Sequence, residues 1–322
     1  MMSMSCQRQI AAFEAWKHYR NGPLPNVPFE WLTAFELSPQ EWAELASRMG
    51  WQALRMNLNT LARKRAFGVD GVAEMVAARL SDEEALNKAR VLPYQLMVAL
   101  GSVGEDVPLK VQAALEGALE ASLSKVPALE GQVVVCPDVS GSMSSPVTGY
   151  RKGASSKVRC IDVASLVSAA VLRRNPDAQL LPFEQRVVEL KLDPRARIAV
   201  NAKKLGAIGG GGTNVSAPLA LLNKRRARVD LVVIVSDNES WVDARRNGAT
   251  ATMREWEVLK NRCPRAKLVC IDLQPYGTTQ AKSRRDILNV GGFSDAVFET
   301  LSTFASGEGE RDWIAEVKEM EV

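Results

Sequence analysis

Apolar positions early in the chain recur at intervals of three and four, as at Trp42, Leu45 and Met49 and then at Leu54, Leu58 and Leu61. That period lines one face of a helix and predicts helices across residues 10–125. Ser38-Pro39-Gln40-Glu41 has the form of a helix start, with a capping Ser, Pro at the first position and Glu three residues after the Ser. Ser81-Asp82-Glu83-Glu84 repeats that signature. Breakers fall between such segments, at Gly22–Asn26, Gly68–Gly71 and Gly101–Pro108. Five or six short helices are expected, compatible with stacked helical pairs, although no clean repeat period is visible.

Beyond residue 130 the period changes. Gln132–Cys136, Asp230–Ser236 and Lys267–Leu273 are short β-branched runs with few charges, the signature of strands buried on both faces. Helical stretches Ile161–Arg174, Ser216–Lys224 and Ala251–Arg262 alternate with them. The fold class expected is α plus α/β: a helical-repeat segment followed by a doubly wound, mostly parallel, Rossmann-like sheet. The chain then divides into an extension (1–27), a helical segment (28–125), a sheet domain (130–306) and a tail (307–322). The tail from Glu308 to Val322 is acidic, with Trp313 and Ile314 as anchors for a docking helix or a frayed end.

Composition adds bounds. At 322 residues, 46% hydrophobic and 24% charged, the chain has room for two globular domains. No apolar run is long enough to cross a bilayer, and the first residues lack the apolar stretch of a secretory signal. Cys6, Cys136, Cys160, Cys263 and Cys270 are odd in number and not in metal-knuckle spacing, which fits reduced thiols in a cytoplasmic protein. The net charge of +4 makes no case for nucleic acid by itself. The cations cluster, however, at Arg151, Lys152, Lys157 and Arg159, at Lys224, Arg225, Arg226 and Arg228, and at Arg284 and Arg285. Such clusters are solvated faces unless they converge on one surface.

The strongest chemical signal follows the first strand. In Pro137-Asp138-Val139-Ser140-Gly141-Ser142, alternate residues Asp138, Ser140 and Ser142 carry oxygen, and a turning loop aims them at one point. A second loop, Gly209 to Thr213, is glycine-rich and precedes a helix, and the strand ending at Val235 runs into Ser236-Asp237-Asn238-Glu239. Thr213 and Asp237 then share the sheet edge with the first loop. Oxygen ligands with few carboxylates suit a hard cation, Mg²⁺ or Mn²⁺. One or two carboxylates leave an octahedral dication with vacant positions for water or an acidic group. The same Asp-x-Ser-x-Ser spacing also describes an Asx-turn before a helix. The tetraglycine lacks the Lys-Ser/Thr ending of a nucleotide loop, and an aspartyl-phosphate role for Asp138 would want an acid where Ser140 stands. The one histidine, His18, lies in a helical pattern, and no Ser–His–Asp or Cys–His set can be assembled. Glu239 could polarise a water, or hydrogen-bond the first loop. The residues favour binding over catalysis, so no enzyme is expected.

These residues carry a resemblance. DVSGSM, GGGGTNVSAPL and VIVSDNESW resemble the metal-ion-dependent adhesion site of von Willebrand factor A domains, and the Asp-Asn-Glu variant resembles that of Ro autoantigen (TROVE-domain) RNA-binding proteins. Trp42–Leu61 and Lys88–Leu100 are similar to helices of the Ro ring, and Ile287–Phe304 to the end of a Ro A domain. The resemblance spans residues 28–305, making 28–125 a partial set of TROVE-like repeats and 130–306 the A domain. It implies Mg²⁺ ligation by Asp138, Ser140, Ser142, Thr213 and Asp237 or their close neighbours. It also implies a helical ring closed by the A domain, with Y RNAs on its outer surface and single-stranded 3′ ends of misfolded non-coding RNA in its hole. In bacteria the family is tied to exonuclease-mediated RNA turnover. A ring needs more helices than the segment supplies, at roughly 40 residues per pair. That implies a short form or fragment, either closing by self-association or leaving an open groove. Arg48, Arg55, Arg63, Lys64, Arg65, Lys88 and Arg90 are candidate RNA contacts, against the plainer reading of ordinary helix surface. Trp51 reads as core before it reads as a stacking platform. The rival function is a protein adaptor whose cation captures a partner's carboxylate, with no RNA.

Overall fold

The computed structural model describes residues 4–20, 22–123, 126–148, 158–237, 251–275, 281–282, 284–294 and 296–307. The chain forms two compact units. One comprises the residues up to Val91 together with Ser102–Ala121, and the other comprises Leu92–Gly101 together with the chain from Ser122 on.

The first unit is helical: α1 (Met4–Tyr19), α2 (Phe29–Leu32), α3 (Pro39–Arg48), α4 (Trp51–Met56), α5 (Leu58–Arg63), α6 (Val72–Leu80) and α7 (Glu83–Lys88) are followed, after α8 (Pro93–Ser102) of the second unit, by α9 (Leu109–Ser122). Among the described residues that makes nine α-helical segments over a stretch expected to hold five or six. The apolar run Leu54, Leu58 and Leu61 is shared between two helices, because Asn57 leaves helical geometry at φ −100° and ψ 5° and divides α4 from α5. Arg65 then turns left-handed at φ 58° and ends the run. The apolar faces pack as their spacing requires: Trp42, Leu45, Met49, Leu54, Leu58 and Leu61 are all buried. Ser38 caps α3 in a full box, its Oγ accepting from Glu41 N at 3.2 Å while Glu41 Oε2 accepts from Ser38 N at 2.7 Å. The second signature works one residue late. Ser81 closes α6, so Asp82 becomes the cap of α7 and accepts from Ala85 N at 3.0 Å. An unheralded arginine ties this unit together. Arg79 on α6 donates to Ala46 O at 2.6 Å, to Ser47 O at 2.8 Å and to Met49 O, serving the carbonyls that α3 leaves without helical partners.

Among the described residues the second unit is built on five parallel strands in the order β2-β1-β3-β4-β5. They are β1 (Val133–Pro137), β2 (Gln179–Leu180), β3 (Leu231–Ser236), β4 (Lys267–Asp272) and β5 (Ile287–Gly291). The three expected strands are the central ones, and β1 and β3 are buried at every position. α10 (Cys160–Arg174) follows β1 and is buried from Cys160 through Leu172 except Asp162, so it is apolar nearly all round, as a core helix is. α11 (Ile198–Gly206) packs on α10, while α12 (Ala217–Lys224) and α13 (Ala251–Arg262) cover the other face. There Leu219, Leu222, Trp256 and Leu259 meet Val134, Val232, Ile234 and Leu268. α14 (Ala296–Ser306) ends the described chain. α8 belongs to this unit, with Tyr94 edge-on to Phe293 at 5.2 Å, although its pattern read as part of the helical segment. Among the described residues no helix is long and apolar enough to cross a membrane. Cys136, Cys160, Cys263 and Cys270 are buried free thiols.

Candidate metal centre

Strand order dictates where a ligand site can lie. In the order 2-1-3-4-5 the chain reverses direction across the sheet between β1 and β3, and the loops leaving their carboxyl ends diverge into a crevice. Asp138 follows β1 and Asp237 follows β3, so both line it. The ladder runs one residue past β1, because Asp138 N donates to Val235 O at 2.8 Å.

Around Asp138 the loop is knitted by its own oxygens. Asp138 Oδ1 accepts from Ser140 N at 2.8 Å, so the Asx-turn geometry is present and serves to present the hydroxyls. Asp138 Oδ2 accepts from Ser236 Oγ at 2.7 Å. Ser140 Oγ lies 3.2 Å from Ser142 Oγ and accepts from Thr213 Oγ1 at 2.9 Å. Asp138, Ser140, Thr213, Ser236 and Asp237 are all buried. Segments 73 and 98 residues apart are thus brought within one hydrogen bond of each other.

The electrostatics favour a cation. Burial pushes the Asp138 carboxyl up to about 6, with the neighbouring Asp237 charge acting the same way against hydrogen bonds from Ser140 and Ser236. Among the described residues, none of the groups that shift Asp138 is a cation. Two buried carboxylates side by side are relieved by a dication, and the donors are hard oxygens, as Mg²⁺ or Mn²⁺ requires. Among the described residues no three His, Cys, Asp or Glu side chains group to hold a metal, so the centre depends on its hydroxyls. Burial also raises the thiols of Cys136 and Cys270, and that of Cys160 to about 11, leaving them poor nucleophiles.

Three neighbours were silent in the sequence. Glu184 leans over the tetraglycine loop, and a Cβ on Gly211, which has φ +72°, would fall 1.5 Å from Glu184 Oε2. Gly141 N reaches Gly211 O at 3.3 Å, so that glycine is pinched from two sides. Ser236 belongs to β3 yet braces Asp138. Gln274, just past β4, donates to Ser145 Oγ at 3.1 Å and to Pro146 O at 2.6 Å. Glu239, like Arg151, Lys152 and Lys157, lies outside the described residues.

The candidate RNA contacts lie in the helical unit and differ among themselves. Arg48 is exposed but tied down, paired with Glu44 and donating to Leu24 O at 3.0 Å. Arg55 is half-buried and donates to Gln52 Oε1 at 3.0 and 3.1 Å, and burial lowers its pKa. Arg63, Lys64, Arg65, Lys88 and Arg90 are exposed. Trp51 is buried, and so is Nε1 of its ring. His18 is exposed on α1.

Comparison with known proteins agrees with this architecture. An RNA-binding protein RO60 of Deinococcus radiodurans is 25% identical over 320 residues, covering 96% of this chain and 58% of that protein. One of Caenorhabditis elegans is 23% identical over 285 residues, covering 82% of this chain and 43% of that protein. The chain therefore spans about half the length of these relatives. The crystal structure of the Deinococcus radiodurans RO (RSR) protein superposes with a TM-score of 0.69 at 23% identity, over 93% of this chain and 60% of that one. The family described as the Ro60 vWA domain matches residues 132–305, more than half of the sequence and the whole of the sheet. The chain belongs to the Ro60 family of von Willebrand A-domain proteins.

Proposed function

We propose that this chain is a non-enzymatic RNA-binding protein of the Ro type, taking small structured non-coding RNA of the Y RNA kind and single-stranded RNA ends. The observation that carries this reading is the extent of the likeness, which runs through the helical unit as well as the sheet and covers 96% of this chain in a relative named for RNA binding. In this reading residues 28–125 are partial TROVE-like repeats and 130–306 the A domain. The exposed cations Arg63, Lys64, Arg65, Lys88 and Arg90 supply phosphate contacts, whereas Arg48 and Arg55 mainly hold the helices. Filter binding of an RNA hairpin with a free single-stranded 3′ end, over a salt series, tests it. A steep loss of affinity with salt is expected, and no binding at low salt would refute it.

In the A domain, Asp138, Ser140, Ser142, Thr213 and Asp237 would hold Mg²⁺, or Mn²⁺ in its place. The cation, when bound, supplies positive charge that attracts an anionic oxygen. Ser236 and the Asx-turn at Ser140 orient Asp138 for it, and Glu184 and Gly141 clamp the tetraglycine loop. Two carboxylates leave coordination positions vacant, and this favours a second reading, an adaptor that captures a partner's Asp or Glu. An RNA-degrading exonuclease, or a second copy of this chain closing a ring in the cytoplasm, would be such partners. Mg²⁺-dependent capture of a carboxylate-bearing protein by a chain that binds no RNA at low salt would establish that reading instead.

A further inference from the structure

One face of α12, made of Ala217, Ala220, Leu221 and Lys224 at spacings of three and four, lines a groove of about 820 Å³. The two alanines end at Cβ and leave room that longer side chains would fill. The other wall comes from the edge of the sheet. β2 pairs with β1 alone among the named strands of the described residues. Beyond it the chain turns at Glu184 and comes back, Glu184 N donating to Arg186 O at 2.9 Å and Val188 N to Pro182 O at 2.7 Å. There the pairing stops. Among the described residues, the backbone of Glu189, Leu190 and Lys191 makes no hydrogen bond, and all three line the groove. A row of bare N–H and C=O groups at a sheet edge is a template for another strand.

The side chains say which strand fits. Val187 and Leu221 are half-buried and pack on the domain core, so with Leu180 and Leu190 they give the groove a fixed apolar floor. Around it Arg186, Lys191, Lys224 and Arg225 stand against the single carboxylate Glu189. All four cations are exposed, and none makes an ion pair among the described residues. Among the described residues no aromatic ring lines the groove, so a nucleic-acid base finds nothing to stack on, and an apolar floor is wasted on a phosphodiester backbone. We propose that the groove binds an acidic, extended segment of a partner protein, added as a strand along Glu189–Lys191. Main-chain bonds hold such a segment, and its alternate side chains supply the specificity. Apolar residues two apart rest on Leu180, Val187, Leu190 and Leu221, and Asp or Glu beside them meet the four cations. The contact uses neither the metal loops nor RNA, so it stands apart from both readings of the function.

Fluorescence anisotropy tests this with a labelled nonapeptide, Glu-Glu-Leu-Glu-Val-Glu-Ile-Glu-Glu, titrated with the full chain in EDTA. Saturable binding is expected, with a dissociation constant on the order of 100 μM, as a short flexible peptide allows. Ser at the three apolar positions of the peptide should weaken binding about tenfold, as should Lys224→Glu/Arg225→Glu in the protein. N-methylation of one set of alternate peptide amides should do the same, while methylation of the other set, which faces away from the edge, should change little. The altered peptides leave the protein untouched, so their results stand whatever the substitutions do to folding. No saturation, or binding that requires Mg²⁺, overturns the proposal. So do equal effects of the two methylated sets, and binding indifferent to Lys224→Glu/Arg225→Glu. Undiminished binding of the Ser peptide would make the groove a plain polyanion surface, and oligouridylate that binds there more tightly than the peptide would give it to nucleic acid; either result overturns it as well.

Discussion

The edge of the sheet and the helical unit handle polar chemistry in opposite ways. At the edge, Asp138, Ser140, Thr213 and Ser236 are buried and bound to one another at 2.7–2.9 Å, so each atom has one place to be. In the helical unit, Arg63, Lys64, Arg65, Lys88 and Arg90 project into solvent, while Arg48, Arg55 and Arg79 are spent on holding backbone or neighbours. Position decides the first region and accumulated charge decides the second. Buried oxygens gain from low dielectric but lose everything with one misplaced atom. Exposed cations are screened, individually weak and additive.

The sharpest way to break the contrast is pH. Folded Asp138 keeps its proton up to about pH 6, against about 3.8 for the ordinary group. The folded state therefore binds the proton more tightly. Without metal, the contribution of Asp138 to stability should be greatest below pH 4, fall by about 3 kcal/mol as pH rises to 6, and stay level above, opposite in sign to that of Asp286, whose carboxyl, despite its burial, its Arg284 partner holds down at about 2. Added Mg²⁺ should act in the reverse sense, stabilising above pH 6 and losing its effect as protons reclaim the carboxylate. Melting curves over pH 4–8 with and without Mg²⁺ decide it, and a metal response that grows on acidification would contradict the site.

Next in size, Asp138→Ala should abolish the Mg²⁺-induced rise in melting temperature, a loss of about 2.7 kcal/mol at a hundred times the dissociation constant. An unchanged response would remove the metal from this loop. Arg79→Ala should then cost the helical unit about 2 kcal/mol, since three carbonyls lose one charged donor. Urea titration of the variant measures it, and a shift within error would show that water replaces the guanidinium freely. Smallest in stability, within about 0.5 kcal/mol, is Arg63→Glu/Lys64→Glu/Arg65→Glu. Its effect belongs to binding: three lost phosphate contacts should flatten the slope of log affinity against log salt by about 2. An unaltered slope would move the RNA elsewhere.

The sequence announced the parts whose cause is local. β1, β3 and β4 lie in the centre of the sheet, so both faces select apolar side chains and the runs are unmistakable. β2 has two half-buried residues, and β5 carries Asn289 in its middle, so neither satisfies that rule. The same distinction holds at the site. Asp138, Ser140 and Ser142 are legible because a loop spacing of two is itself geometry. Ser236, Glu184 and Gln274 reach the loop through strand register or a close glycine, which no stretch of neighbouring residues encodes. Arg79 was invisible for the same reason, since its partners lie some 30 residues back.

The hydroxyls that face the crevice already satisfy one another, Thr213 donating to Ser140 and Ser236 to Asp138. These two bonds tie three separate segments of the chain into one network. A cation bound as proposed would meet oxygens that this network already holds in position. If the proposed magnesium binds here, its removal should then alter ligand capture more than the fold of the loops.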